Sequence, residues 1–537
     1  MDTYFLRSFC FYRILWHGYV FQSFSNWLGG NDVSNSFATS IGAKALTLKQ
    51  TIMIASVCEF SGAIMLGHKV TETIKGSIIN ASMYEDNPTL LMYGMFTVVI
   101  GCAVWLVGAT FLSLPVSSTH TCIGGMLGMG IVSRGFKVIH WKTVINVILS
   151  WLYSPLIAGF ISFACFLILR NTVLLKEKSF EYSLNVFSPL IAFILTLNFF
   201  VLFYGGCPWL PNFNWWMSII VSAAISSLIA LILYFAAIPA IRRKALQAEA
   251  DLQKPLLSDV EANPSEPSEP SEPSEEKVAE VAEVAEVAEV AEVAEVAEVA
   301  EVAEVSEVTE EKPTEVTEEK PADVTPREST VVIPTEEKPV DENKGMFDMV
   351  KNDETVAAIH ERTEHYDVKT EKTFIYLQVL AAILNSFAHG ANDVSHSIGP
   401  FVACLEIYHT GTAQASTPTP AWILAYGATG IVLGLATIGY KVMATVGVNL
   451  VSVTPCRGFF IELASSFVVI VGSRVGIPLS TTQCKIGAAV GIGLVGGSES
   501  VNWKLFGKIF GGWILTIIVA AIVSAILMEL GVLIFHF

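Results

Sequence analysis

A hydrocarbon core about 30 Å thick has no water to satisfy a peptide group, so it admits only helices of roughly 20 apolar residues or closed barrels. This chain carries one apolar window of that length after another, at about 90–113, 143–169, 184–205, 215–240, 421–440 and 507–535. Five further windows are apolar but broken by Gly, Pro and hydroxyl residues: about 49–68, 115–133, 376–404, 458–474 and 478–497. A weaker one spans about 10–47, with Arg7, Arg13, His17 and Gln22 near its start. The reading is an all-α polytopic membrane protein with about 12 spans. Composition agrees: 52% of the 537 residues are hydrophobic and 15% charged, against about 25% charged in soluble domains. No clean apolar core with an A-x-A site opens the chain, so no cleavable signal peptide is expected.

The formal charge of −18 is unevenly placed. Residues 240–373 hold 14 Lys/Arg and 37 Asp/Glu; the rest holds 18 basic and 13 acidic residues. With no basic face to neutralise phosphates, nucleic acid is excluded as a partner. The lipid bilayer is the partner the composition does require. The nine Cys are scattered, without CxxC or Cys/His spacing, so neither a disulfide framework nor a zinc site is indicated. The insert at 241–372 contains nine VAE triplets at 278–304. It is too polar to offset its ordering entropy, and a three-residue period drifts around a 3.6-residue helix. It reads as a disordered acidic loop, either a spacer or a regulatory segment, with 346–368 able to form a short amphipathic helix. Arg242, Arg243, Lys244, Lys369 and Lys372 flank it and place it in the cytoplasm by the positive-inside rule. Counting outward puts both termini outside. Loop 134–142 would then be external despite Arg134, Lys137 and Lys142, against that rule.

The chain is duplicated. Gly30-Asn31-Asp32-Val33-Ser34 recurs as Ala391-Asn392-Asp393-Val394-Ser395. Leu114-Pro115-Val116-Ser117-Ser118-Thr119-His120 recurs as Ile477-Pro478-Leu479-Ser480-Thr481-Thr482-Gln483. The separation from Asp32 to Thr119 is 87 residues, and from Asp393 to Thr482 it is 89. Two different motifs at matched spacing define a repeated unit. The expected division is 1–175 as first repeat, 176–240 as two linking helices, 241–372 as the loop, and 373–537 as second repeat. Five spans, two, then five turns the second copy upside down. Inverted repeats that meet near the bilayer midplane are an architecture of secondary transporters.

Each motif has its own chemistry. Asp within an apolar segment costs roughly 2.5–3.5 kcal/mol on the insertion scale; incurring that cost at equivalent positions gives Asp32 and Asp393 partners. A cluster of carboxylate, amide and hydroxyl oxygens suits Na⁺; bonding to nearby backbone is the structural alternative. The Pro-x-Ser-Ser/Thr-Thr segments read as breaks in helices, with Ser/Thr caps at a fresh N-terminus. Such N-termini bind oxyanions, and two of them can clamp one tetrahedral anion. A carboxylate beside an anion requires a cation or a shared proton. Phosphate carries an O–H for Asp to accept, whereas sulfate near neutral pH does not. Glu59 and Glu462 lie within apolar helices; each binds cation, anchors helices, carries a proton, or is structural. His389 pairs with the anion or packs a helix, and Lys485 charges the site or snorkels to the interface.

These doubled segments resemble the PiT family of sodium- or proton-coupled inorganic phosphate transporters, over about 25–240 and 373–537. The resemblance implies about twelve spans, outside termini, inverted repeats and a variable cytoplasmic loop. It gives Asn31, Asp32, Asn392 and Asp393 roles with phosphate and ions, and Ser117, Ser118, Thr119, Ser480, Thr481 and Thr482 a role in phosphate coordination. It marks Glu59 and Glu462 as needed for transport. The candidate cation ligands are therefore Asp32, Asn35, Asp393, Glu59 and Glu462. Ser118 and Gln483 depart from the family's S-T-T-H. His396 stands where the family commonly has Asn, as this chain does at Asn35, which alters a cation site or its pH dependence. The N-terminal segment 1–25 looks unlike the family's first span.

The expected function is cation-coupled symport of inorganic phosphate, with Na⁺ rather than H⁺ as coupling ion, no other cofactor, and no enzyme activity. Two cations per monovalent anion make the step electrogenic, at about 2.3 kcal/mol per charge per 100 mV. The plasma membrane is the expected location, and a homodimer is left open. Rivals are a sulfate or other oxyanion carrier, a non-transporting phosphate sensor, and an intramembrane enzyme using Asp32 and Asp393.

Overall fold

The computed structural model describes residues 20–204, 213–261, 353–413, 418–439, 442–443 and 445–535. The VAE repeats and segment 1–19, most of the stretch that differs from the family's first span, lie outside them. Among the described residues every regular element is helical, and one isolated antiparallel bridge joins Ile79 to Ile139. We number the helices α1 (20–42, with a wider π turn at Gly29–Val33), α2 (Leu48–Leu66), α3 (His68–Gly76), α4 (Pro88–Phe111), α5 (Ser118–Arg134) and α6 (Trp141–Leu169). There follow α7 (Ser179–Phe203), α8 (Trp215–Glu261), α9 (Glu354–Arg362), α10 (Val368–Thr410), α11 (Ala421–Ile438), α12 (Pro455–Arg474), α13 (Thr481–Val495) and α14 (Trp503–Phe535). Among the described residues, eight helices are long and apolar enough to cross a membrane, and α2 with α3, bent by 64°, pass the same test together. This makes the chain a polytopic membrane protein.

Local chemistry sets the boundaries. Thr47 and Gln50 form a reciprocal capping box at the start of α2. Asn87 caps α4 and Pro88 opens it, where its missing N–H costs nothing. Gly411 ends α10 in the left-handed conformation (φ 70°). Before α5 and α13 the chain makes the same device twice, a turn and then a non-helical stretch, at 112–117 and 475–480. The turn needs a positive φ. Gly476 (72°) supplies it in the second copy, and Ser113 (54°) carries it in the first.

The two short helices are each held by the other copy. At about 1.5 Å per residue, the 17 residues of α5 and the 15 of α13 stop short of a full crossing. Helix α5 packs against α14, and α13 against α6. Glycines allow the approach: a Cβ on Gly128 would stand 2.0 Å from the Ala521 carbonyl oxygen, and one on Gly491 2.2 Å from that of Gly159. Small residues let backbones meet where lipid supplies no hydrophobic drive.

The flanks of the insert depart from the expectation of a disordered loop. Helix α8 runs to Glu261, and α9 forms within the stretch read as amphipathic, capped by Asp353. The unit holding the membrane helices comprises Met1–Pro239 and Glu342–Phe537; Ala240–Asp341 form a second unit. Around α9, Arg362 pairs with Glu499 at 2.7 Å, and Arg170 grips Glu364 in a fork that holds its carboxyl down at about 2. Val356 and Ile359 of α9 are buried, and these pairs add tertiary contacts that the local composition does not show.

Gly491→Ala is expected to overpack the α13–α6 crossing and cost about 1–3 kcal/mol. The thermal midpoint of the detergent-purified protein would fall, while Gly507→Ala, where a Cβ meets open space, would leave it unchanged.

Candidate functional site

The two Asn-Asp motifs and the two non-helical turns meet in the protein interior. In the first copy, Asn31 Oδ1 accepts the Val116 N–H (3.0 Å), and its Nδ2 donates to Leu114 O (3.0 Å) and Thr110 Oγ1 (3.1 Å). In the second, Asn392 Oδ1 accepts the Leu479 N–H (3.4 Å), and its Nδ2 donates to Leu479 O (2.7 Å). Each amide thus satisfies peptide groups that the helix break would leave bare. The adjacent carboxylates reach the helix starts two residues on, one through a backbone N–H and the other through a hydroxyl. Asp32 Oδ2 accepts the Ser118 N–H (3.1 Å), and Asp393 Oδ2 accepts from Thr481 Oγ1 (2.5 Å).

Contacts between the copies are reciprocal as well. Thr119 donates to Leu479 O at 2.8 Å, and Thr482 lies 3.2 Å from Val116 O and 3.0 Å from Asp32 Oδ1. His120 and Gln483, at equivalent positions, face each other with their Nε2 atoms 3.2 Å apart, and Trp151 stacks on the imidazole at 3.7 Å. Of the ten candidate phosphate residues, all are buried except the partly buried Thr481. Ser117 and Ser480 are the N-caps of α5 and α13, accepting from His120 N–H and Gln483 N–H.

The remaining candidates fall into two branches. His389 bridges Glu59 (Nδ1 to Oε2, 2.9 Å) and Asp393 (Nε2 to Oδ2, 2.7 Å), and Ser386 donates to Glu59 at 2.8 Å. Glu59 is thereby joined to the motif region through an imidazole. Glu462 belongs to a separate cluster, accepting from Thr39 and Ser40 and pairing with Lys485. The reading of Lys485 as snorkelling is corrected: its side chain is 3% exposed and also donates to Ser36 O at 2.8 Å. A buried carboxylate holds it where an interface would otherwise draw it.

Asn35 and His396 occupy matched places and differ in chemistry. Asn35 Nδ2 reaches Thr482 Oγ1 at 3.4 Å, while its Oδ1 is buried without a hydrogen-bond partner. The His396 ring lies 3.2 Å from both Ser118 Oγ and Thr119 Oγ1 and 3.4 Å from Asp393 Oδ1. The sequence reading missed Thr110, Ser36, Thr39, Ser40 and Ser386. Ser36, Thr39 and Ser40 did leave a signal, since positions i, i+3 and i+4 directly after the motif share one helix face.

Buried polar groups gathered around paired helix breaks, at the contact between two copies of one motif, are an arrangement that secondary transporters use. Residues 28–524 match the phosphate transporter family, and the chain belongs to that family. It is similar to sodium-dependent phosphate transporter 1-A of Danio rerio, with 29% identity over 93% of this chain and 91% of that protein. It is likewise similar to sodium-dependent phosphate transporter 2 of Felis catus, with 29% identity over 93% and 94%. A solved structure described as the sodium-dependent phosphate transporter superposes with a TM-score of 0.69 at 25% identity, covering 97% of this chain and 99% of that one.

Asn31→Ala and Asn392→Ala each leave peptide groups of a helix break unpaired, at about 1–3 kcal/mol. Both variants are expected to unfold at lower temperature and to raise the KM for phosphate in uptake assays. Asn198→Ala, whose amide bonds only a carbonyl of its own helix, would leave KM unchanged.

Proposed function

We infer that the chain is a Na⁺-coupled symporter that carries inorganic phosphate across the plasma membrane by alternating access, with residues 1–175 and 373–537 as inverted repeats. The linking helices (176–240) and the acidic loop (241–372) separate them, and the described helices with the first window make up about twelve crossings and part-crossings. The observation carrying this reading is the reciprocal pairing of Thr119 with Leu479 O and Thr482 with Val116 O. It brings the N-terminal turns of α5 and α13 to one place, where two sets of N–H donors face an oxyanion from opposite copies. Ser118, Thr119, Thr481 and Thr482 supply its hydroxyl ligands, Ser117 and Ser480 hold the helix starts, and Asn31 and Asn392 fix the turns. Asp393, already facing His389, accepts a phosphate O–H.

The printed names of the relatives support Na⁺, and so does the donor chemistry at Asp32. Its carboxylate, the Thr482 hydroxyl, the Val116 carbonyl and the unpartnered Asn35 Oδ1 are hard oxygen ligands converging on one region, the kind of set a small hard cation takes. Glu59, through His389, and Glu462, through α1, tie helices of one copy to the other.

Labelled phosphate uptake into proteoliposomes tests the reading. An inward Na⁺ gradient is expected to drive uptake, arsenate to compete and sulfate not. Asp32→Asn and Asp393→Asn should each lower uptake at least tenfold, and Asn35→Ala should raise the Na⁺ concentration for half-activation by about tenfold, the equivalent of one charge-assisted ligand. Uptake driven by a proton gradient alone, or equal inhibition by sulfate, would reject it.

A further inference from the structure

Asp32, Glu59, Asp393 and Glu462 are all buried, and they differ in what faces them. Glu59 and Asp393 share His389. Glu462 faces an ammonium that cannot leave, because it belongs to Lys485. Asp32 is hydrogen-bonded by the Ser118 N–H and the Thr482 hydroxyl.

We propose that Lys485 is a tethered cation: its ammonium occupies a seat suited to a sodium ion and so removes Glu462 from the carboxylates that bind transported Na⁺. The seat is made of hard oxygens. Lys485 Nζ meets Glu462 Oε2 and the Ser36 carbonyl oxygen, the latter at 2.8 Å, and the other carboxylate oxygen takes the hydroxyls of Thr39 and Ser40. Ammonium and Na⁺ carry the same unit charge, and a carboxylate with a carbonyl oxygen, backed by two hydroxyls on the far carboxylate oxygen, is a setting of hard oxygens that a small cation accepts. Ser36, Thr39 and Ser40 form one face of α1 one turn after Asp32, and Lys485 follows Thr482 by one turn on α13. The device therefore sits beside the residues proposed to bind the mobile ion and spans both copies.

It occurs once. With the copies in register, the counterpart of Lys485 is Cys122, whose thiol reaches the His396 carbonyl, and the counterparts of Thr39 and Ser40 are Pro400 and Phe401. The seat is thus not a by-product of the duplication. A buried ion pair is a poor source of stability compared with apolar packing, so stability alone gives no reason for one here. Fixed charge does: one carboxylate is permanently neutralised, and the number of mobile cations per phosphate is set lower than the count of buried acids implies.

This inference rests on the Na⁺-coupled reading. Its test is the number of Na⁺ ions bound per purified full-length chain, from equilibrium binding of ²²Na⁺ in the presence of inorganic phosphate. Lys485→Met is expected to bind one more Na⁺ than the parent, and in proteoliposomes to move one more charge per phosphate. The double variant Glu462→Gln with Lys485→Met, which removes both charges, is expected to bind the parental number. It tests the claim that Glu462 holds no transported Na⁺ even where Lys485→Met alone does not fold. An unchanged count in Lys485→Met, or one ion fewer in the double variant, overturns the inference while leaving Na⁺ coupling intact. A parent chain that binds no Na⁺ overturns the coupling reading and this inference with it.

Discussion

A helix broken inside a membrane exposes peptide groups that lipid cannot satisfy, so the break survives only where other parts of the protein supply the missing partners. In this chain that supply is the Asn side chain of each Asn-Asp motif. An Asn amide carries its donor and its acceptor on separate atoms of one short, planar tip, and Asn31 and Asn392 use both on the peptide groups around the motif proline. With the breaks fixed, α5 and α13 start beside the paired motifs, where Asp32, Ser117 and Ser480 take N–H groups of their first turns, and Asp393 and the Thr hydroxyls gather at the same place. Asp at these positions by itself would be a cost; beside a capped helix start it is one end of a network.

The duplication makes the chain structurally even but not chemically even. Backbone devices repeat faithfully: the turn with positive φ at Ser113 and Gly476, the caps Ser117 and Ser480, and the close crossings at Gly128 and Gly491. The charged groups that surround the paired aspartates do not repeat. His389 and Lys485 have Leu28 and Cys122 as counterparts. Repetition suits the scaffold, because both copies must meet the same steric demands. Asymmetry suits the site, because one anion with its cations has no two-fold symmetry of charge to match.

Much of this was legible in the residues. Apolar length reports helices directly, and the helix breaks follow from Pro, Ser and Thr in fixed order, so the windows at 115–133 and 478–497 correspond to α5 and α13. The doubled motif identified the residues that meet. What the chain could not reveal alone is partnership between separate helices. Whether Lys485 reaches an interface or a carboxylate depends on how α13 packs against α12, which carries Glu462. Glu59 gains its link to Asp393 only through His389 on α10, a helix of the other copy. The helix within 346–368 was legible as an amphipathic stretch, whereas its partners Arg170 and Glu499 lie on distant segments and were not.

The packing also constrains how such a molecule can move. Each half-helix is bound to its own copy through the Asn amide and to the other copy through a threonine and a glycine crossing. If α5 shifted with its own copy alone, Gly128 would have to part from Ala521 and Thr119 from Leu479. The same applies to α13 against α6 and Val116. Helices α5 and α14 thus form one packed pair and α13 and α6 another, set against the group α1, α2, α10 and α11 and tied to it through the Asn amides. Those four interlock through contacts of their own, among them Gly390 against Glu59 and Gly29 against Ile431. The Asn-Asp motifs lie on α1 and α10 and the broken turns precede α5 and α13, so the candidate binding residues come from both groups of helices, and neither group carries a complete set on its own.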